Sequence, residues 1–411
     1  MIFLKKGKRL KSSHITSIKH YLLIFLLLVF KYHLKVIYVF IKLFSKARSQ
    51  VFFLSRQSDD LPLNYRLLIE GLTKQNIEVR VICKKVTDGI NALVRNEKKQ
   101  KRILIEIRNG INYYLSIYKQ MWYSATSKVI IVDGYNVAVS LLKHRRGTKI
   151  IQLWHALGAI KKFGYQTIGY PDGLDPQIAK ILCMHANYDL VISGSKAMNK
   201  YFAEAFNVDP EKVVAIGTPM VDYLLNKDES ITQKIYQKYP IMKKKINVLY
   251  SPTFRDDGRD NTLEVINSFD YRKINLIITS HPKNQEISPQ KNVIIIKRNE
   301  FSTFDILKTV DYVITDYSAL AMDACVLNKK LLFYVYDWEE YCKDNGLNID
   351  LFKELPGLVS KEIKDLIEII IINSYNEEAY QRFRKKFISN LEGNSTNLIL
   401  EIIKEYLDIK N

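Results

Sequence analysis

The sequence predicts an α/β chain built from two doubly wound parallel sheets that face each other across a cleft. Three observations carry this. Past residue 50, short runs nearly continuous in Val, Ile and Leu alternate with amphipathic stretches, as parallel strands buried on both faces alternate with the helices that cover them. The runs fall into two series, separated by a polar segment at 226–247. The 411 residues, 47% of them hydrophobic, suffice for two domains of ordinary size.

The first series places strands at 51–54, 79–83, 128–134, 149–154, 189–193 and 213–217. The second places them at 247–251, 275–280, 292–297, 312–315 and 330–336. Helical patterns lie between many of them, at 62–75 and 318–330 for example. The closing stretches 360–373 and 376–408 read as helices on the second sheet, with the last crossing back to the first. The expected division is a segment 1–48, a domain 49–230 and a domain 231–411. No internal repeat, GxGxxG fingerprint, P-loop or HExxH pattern occurs, which argues against those chemistries.

The charge is uneven. The chain carries 62 Lys+Arg against 43 Asp+Glu, a formal +19. Twelve of the bases and no acid fall within residues 1–58, which leaves a modest excess of seven over the rest. Nucleic-acid binding would need the charge spread over the folded part, so it is not expected. The basic segment instead contains the apolar runs 21–30 and 36–41, interrupted by Lys31, His33 and Lys35. Ten apolar residues cannot span a hydrocarbon core of roughly 30 Å as a helix. No small-residue cleavage site follows to mark a secretory signal. The expectation is a helix, or helix pair, lying in the membrane interface with its lysines reaching anionic head groups; a spanning helix with snorkelling lysines is the alternative. Lys5, Lys6, Lys8, Arg9 and Lys11 lead the contact.

Cys83, Cys183, Cys325 and Cys342 are scattered without metal-ligand spacing and read as reduced, mostly core side chains. No metal site is suggested.

Ligands of open α/β sheets sit at the carboxyl ends of strands, and five stretches fall there. His155 follows the 149–154 strand, and Gly158 precedes Lys161 and Lys162. An imidazole there is a general-base candidate, with lysines to attract an anion; a core histidine with two surface lysines fits the same text. In YSPTFRDD, Thr253 offers a hydroxyl and Arg255 a fork for phosphate, or the pair forms an ordinary turn. In TSHPK, His281 ends the 275–280 strand. In TDYSA, Thr315, Asp316 and Ser318 are N-cap types for a helix whose first N–H groups would face a phosphate, with Asp323 further along it. In GTPMVD, Asp222 would order a sharp exit, or the stretch is a linker turn.

Together, and in this order, WHALGAIKKFG (154–164), PTFR (252–255), SHP (280–282), TDYSA (315–319) and FYVYDWEEY (333–341) resemble the CDP-glycerol glycerophosphotransferase family of wall teichoic acid synthesis, over about residues 125–345. The resemblance implies a GT-B-like pair of Rossmann-type domains facing a cleft, with an N-terminal membrane-associated helical segment. It implies that His155 deprotonates an acceptor hydroxyl, which attacks the phosphorus bearing the polyol while CMP leaves. Ala156, Leu157, Gly158 and Ala159 would line the donor. Pro252, Thr253 and Arg255 would hold its nucleotide or phosphate. His281, with Thr279 and Ser280, would steady the pyrophosphate. Asp316, Ser318 and Ala319 would cradle it, and Asp323 would complete the pocket. Neither cofactor nor metal is called for, because positioning and electrostatics do most of the work in phosphoryl transfer.

The implied partners are CDP-glycerol or CDP-ribitol, a lipid-linked disaccharide or polyol-phosphate acceptor, and an anionic membrane surface, with no nucleic acid. The implied location is peripheral, on the cytoplasmic face of the cell membrane. Two departures leave the polyol open: Met220 stands where the family carries an arginine, and Ala319 where it carries a second serine. A sugar-transferring enzyme using a UDP-sugar and a membrane-surface scaffold are the rival readings. The scaffold leaves the two strand-end histidines without a purpose.

Overall fold

The computed structural model describes residues 14–84, 99–171, 173–253, 255, 261–279, 293–297 and 299–409. The first sheet comprises β1 (Arg48–Ser55), β2 (Glu78–Cys83), β3 (Ser127–Val132), β4 (Lys149–Gln152), β5 (Leu190–Ile192) and β6 (Val213–Val214), in the order β2-β1-β3-β4-β5-β6. The second comprises β7 (Ile246–Tyr250), β8 (Ile274–Thr279), β9 (Val293–Ile296), β10 (Tyr312–Thr315), β11 (Lys330–Tyr334) and β12 (Val359–Ser360), in the order β12-β11-β10-β7-β8-β9. Every pairing is parallel, with Phe52 opposite Ile130 in one sheet and Tyr250 opposite Ile314 in the other. Central strands are buried on both faces, which is why they read as unbroken apolar runs: Val51, Phe52, Phe53 and Leu54 are all within 1% of full burial. Strand order reverses between β1 and β3 and again between β7 and β10. Such switch points open a crevice at the carboxyl ends of the strands.

Several elements differ from expectation, each for a local reason. β4 stops at Gln152 rather than 154, because Trp154 turns left-handed at φ +58°. The helix expected at 318–330 is only Leu320–Val326, since the Asp316 carboxylate is engaged by the Thr253 amide and the Arg255 guanidinium instead of capping it. The stretch 376–408 breaks into Glu377–Phe387 and Ser395–Tyr406 around Gly393 at φ +69°. Among the cysteines only Cys325 is fully buried.

The Ser395–Tyr406 helix does cross back. Its Ile399, Leu400 and Ile403 pack in one cluster with Val51, Phe53, Tyr65 and Leu68 of the first half. The return path runs beside the outgoing one: Asn390 Nδ2 and Ser395 Oγ both donate to the Ile216 carbonyl at 2.8 Å. The Asp222 carboxylate accepts from the Ser395 and Thr396 amides at 2.9 and 2.7 Å. Asp222 thus holds the start of the last helix. Met220 is buried in the same seam, its amide donating to Asn64 Oδ1 at 2.7 Å.

The N-terminal apolar runs form one helix, His14–Leu43. Residues His20–Leu43 are long and apolar enough to cross a membrane, at a mean hydropathy of 2.0. One side packs on the Lys99–Thr126 helix, with Leu34 and Tyr38 clustering with Ile117, Met121 and Ala125. Two lysines of this helix bond back onto the protein: Lys31 Nζ donates to the Ile181 carbonyl at 2.9 Å in a part-buried contact, and Lys42 Nζ to the Lys143 carbonyl at 2.8 Å at the surface. The opposite side exposes a stripe at helical spacing that includes Tyr21, Phe25, Val29, Tyr32, Val36 and Phe40. Lys5, Lys6, Lys8, Arg9 and Lys11 lie outside the described residues.

The two halves are clasped beside the cleft. Lys162 N donates to the Gly346 carbonyl at 3.1 Å and Asn348 N to the Ile160 carbonyl at 2.8 Å, an antiparallel rung between the halves. Gly346 sits at φ +73°, and a Cβ there would come within 2.9 Å of Lys162 Cδ, so both backbone and space demand glycine.

Candidate functional site

A cavity of about 600 Å³ opens between the carboxyl ends of the two sheets. The first half contributes His155, Ala156, Gly158, Ala159 and Lys161; the second contributes Pro252, Thr253 and Arg255 after β7, Thr279 at the end of β8, and Ser318 and Ala319 after β10. Stretches separated by more than 150 residues therefore meet at one place. Gly158 permits the approach. A Cβ there would stand 2.7 Å from Met322 Cγ, on the helix that follows Ser318.

His155 is presented by the strained turn at Trp154, whose indole stacks on Phe163 at 4.8 Å and lies 4.0 Å from the imidazole. His155 Nδ1 lies 2.9 Å from the Asp133 backbone carbonyl at the end of β3. A carbonyl only accepts, so Nδ1 carries the proton and Nε2 keeps its lone pair. His155 is exposed to the cavity, while protein crowds the ring from its other sides and displaces water there. That desolvation lowers its pKa below 6.5; the Asp133 hydrogen bond opposes the shift and the Lys161 charge adds to it. The geometry therefore offers a neutral imidazole base.

The donor-side motifs interlock. Asp316 Oδ1 accepts from Thr253 N at 2.8 Å and from Thr253 Oγ1 at 2.7 Å. Arg255 bonds Asp316 through Nη2 at 2.9 Å, Asp337 through Nε at 2.9 Å and Nη2 at 3.1 Å, and the Thr253 carbonyl through Nη1 at 3.0 Å. The rings of Tyr317 and Tyr341, stacked on each other 3.7 Å apart, lie 5.5 and 4.9 Å from the guanidinium. Burial alone would lower the Arg255 pKa, but the Asp337 hydrogen bonds and the two carboxylate charges hold it above the ordinary arginine value. PTFR, TDYS and YDWEEY are thus one cluster that ties together the turns after β7, β10 and β11. Most of the Arg255 fork is committed to the protein rather than to a ligand.

Other predicted residues lie elsewhere. Leu157 is 4% exposed and belongs to the core. Asp316 is 1% exposed behind Thr253. Asp323 is buried on the Leu320–Val326 helix, and burial raises its pKa to about 7. None of these three lines the cavity. Ser280 and His281 lie outside the described residues. The helix start is built differently from expectation: Ala319 is its cap residue without a side-chain bond, and Ser318 Oγ takes the Leu320 amide at 3.3 Å. The cavity also recruits Tyr250, the first residue of YSPTFRDD, together with Thr262, Ser302, Thr303 and Phe304, which no local motif announced.

Residues 36–405 match the family model described as CDP-glycerol:poly(glycerophosphate) glycerophosphotransferase. The chain belongs to this family. It is 33% identical over 299 residues to a teichoic acid poly(ribitol-phosphate) polymerase of Bacillus spizizenii, covering 69% of this chain and 47% of that protein. It is 27% identical over 308 residues to a ribitol-phosphate primase of the same organism, covering 72% and 79%. It is 29% identical over 330 residues to a glycerol-phosphate primase of Bacillus subtilis, covering 78% and 84%. This glycerophosphotransferase-family chain thus spans about half the length of the polymerase and most of either primase. Among solved structures, wall teichoic acid polymerase TagF aligns at a TM-score of 0.69 and 18% identity, covering 92% of this chain and 98% of that one. A UDP-GlcNAc 2-epimerase from Neisseria meningitidis aligns at 0.52 and 14%, covering 87% and 100%. At such identities the likeness speaks for the fold alone.

Proposed function

We propose that the protein transfers a polyol phosphate from a CDP-activated donor to a hydroxyl of a lipid-linked teichoic acid or capsule precursor, at the cytoplasmic face of the cell membrane. The carrying observation is the His155 imidazole, its Nδ1 proton held by Asp133 O and its Nε2 available, in a cavity shared with Thr253, Thr279 and Ser318. His155 Nε2 takes the acceptor hydroxyl proton. The oxygen forms a bond to the phosphorus that bears the polyol, the bond from that phosphorus to the bridging oxygen breaks, and CMP leaves with the electron pair. The Leu320–Val326 turn, the hydroxyls of Thr279 and Ser318, and Lys161 face the diphosphate. Residues 49–230 serve the acceptor and residues 231–411 the donor.

Glycerol phosphate is the first reading of the transferred group, from the resemblance of the motifs. Ribitol phosphate is the second, favoured by the 33% identity to a ribitol-phosphate polymerase. Membrane contact falls to the exposed stripe of the His14–Leu43 helix. Because its other side is packed on protein and its lysines Lys31 and Lys42 are bonded to carbonyls of the folded body, the helix lies along the interface rather than across the bilayer. The test is nucleotide release from CDP-glycerol, CDP-ribitol and UDP-sugars with a lipid-linked disaccharide. Acceptor-dependent CMP that disappears in His155→Ala supports the proposal. UDP or UMP release, or no release from any donor, overturns it.

A further inference from the structure

We propose that Gln152 is a positioning residue for this reaction, acting through the turn that delivers His155; the inference rests on the transfer reading above. Gln152 is the last residue of β4 and wholly buried. A buried carboxamide at the end of an apolar strand is costly unless both of its ends are bonded. Here they are. Its Oε1 accepts from the Trp154 amide at 2.9 Å, and its Nε2 donates to the Gly134 carbonyl at 3.3 Å.

Those two bonds span the sites that decide where the imidazole sits. Trp154 holds φ at +58°, a conformation that a bulky residue keeps only when its surroundings enforce it. The Gln152 bond to its amide is one such constraint, and the stack on Phe163 is another. Gly134 immediately follows Asp133, whose carbonyl accepts from His155 Nδ1. Gln152 thus links the turn that bears the base to the strand end that selects its tautomer. An ionised glutamate of the same length accepts from Trp154 but cannot donate to Gly134. A methionine of similar shape does neither.

The test is steady-state CMP release by the full chain, with a lipid-linked disaccharide and whichever CDP-polyol the wild type uses. The proteins are wild type, Gln152→Met, Gln152→Glu, His155→Ala, and Gln152→Met with His155→Ala. An ångström-scale misplacement of a catalytic group costs about 100-fold, so Gln152→Met is expected to lower kcat by about that factor, with the donor KM within about threefold. Gln152→Glu, which keeps one of the two bonds, is expected to fall between it and wild type. If Gln152→Met does not fold, Gln152→Glu carries the same kcat-against-KM comparison. In the His155→Ala background the Gln152→Met change is expected to alter the residual rate less than about twofold, since residues that act as a unit are not additive. Wild-type kinetics in a folded Gln152→Met, a raised KM at unchanged kcat, or an equal loss in both backgrounds overturns the inference. Full turnover in His155→Ala instead overturns the transfer reading, so the two failures are distinct.

Discussion

Replacing Arg255 by methionine is the sharpest test of the interlocked motifs. The side chains of Arg255, Asp316 and Asp337 are 7%, 2% and 4% exposed, so removing the guanidinium strands two carboxylates where water barely reaches. Breaking a buried ion pair by deleting one partner costs about 3–5 kcal/mol. Asp316 would keep both Thr253 bonds and Asp337 would keep the Tyr317 hydroxyl at 3.2 Å, which places the loss toward the lower end, about 3 kcal/mol. For a cooperative unit of ordinary domain size that is a drop in Tm of about 6–12 °C. Arg255→Lys keeps the charge but not the fork, and reaches only one carboxylate well; about half the loss is expected. The measurement is a calorimetric melt of the three proteins at one pH and concentration. An Arg255→Met variant melting within about 2 °C of wild type would refute the view that this guanidinium braces the three turns.

Three further outcomes are expected. Because burial lowers the His155 pKa below 6.5, its neutral, proton-accepting form persists to lower pH; the acid limb of log kcat/KM breaks below about 6.5, and a break above that value contradicts the base assignment. Asp133 is 4% exposed, and burial, opposed by the Ser55 hydroxyl, raises its pKa from 3.8 to about 6. The folded chain therefore holds that proton more tightly than the unfolded one: the associated stability is complete below pH 3.8 and lost as pH rises through 6, about 3 kcal/mol in all. Asp133→Asn should then melt above wild type at pH 8, by a margin that roughly halves at pH 5; a margin indifferent to pH speaks against the burial argument. Finally, Phe25→Asp with Val36→Asp, on the exposed stripe, should abolish flotation with anionic liposomes and leave Tm and soluble-acceptor turnover unchanged, whereas retained flotation assigns the membrane contact elsewhere.

Much of the architecture was legible because strands buried on both faces have no choice but to be apolar: β1, β3, β7 and β10 all announce themselves. The His155 stretch was legible because its polar residues interrupt such a run at the strand end. What stayed hidden was set by partners far away in the chain. Nothing around Arg255 says that its charge is spent on residues 61 and 82 positions later. Trp154 carries none of the glycine or asparagine marks of a left-handed turn, so β4 read two residues too long. Ser302, Thr303 and Phe304 reach the cavity only because the order β7-β8-β9 brings that loop alongside. The bond that Lys31 makes back onto the protein depends on the Ile181 carbonyl, 150 residues on.

The seam at Ile216, where the chain leaving the first half lies against the chain coming home to it, has a mechanical meaning. The halves are joined by two covalent threads set side by side, not by a single leash. Such a hinge, backed by the Lys162–Gly346 rung beside the cleft, resists sliding of one half against the other. Chain ends cut near residue 390 would lose more than a tail: the hinge would be halved and one wall of the first sheet stripped bare.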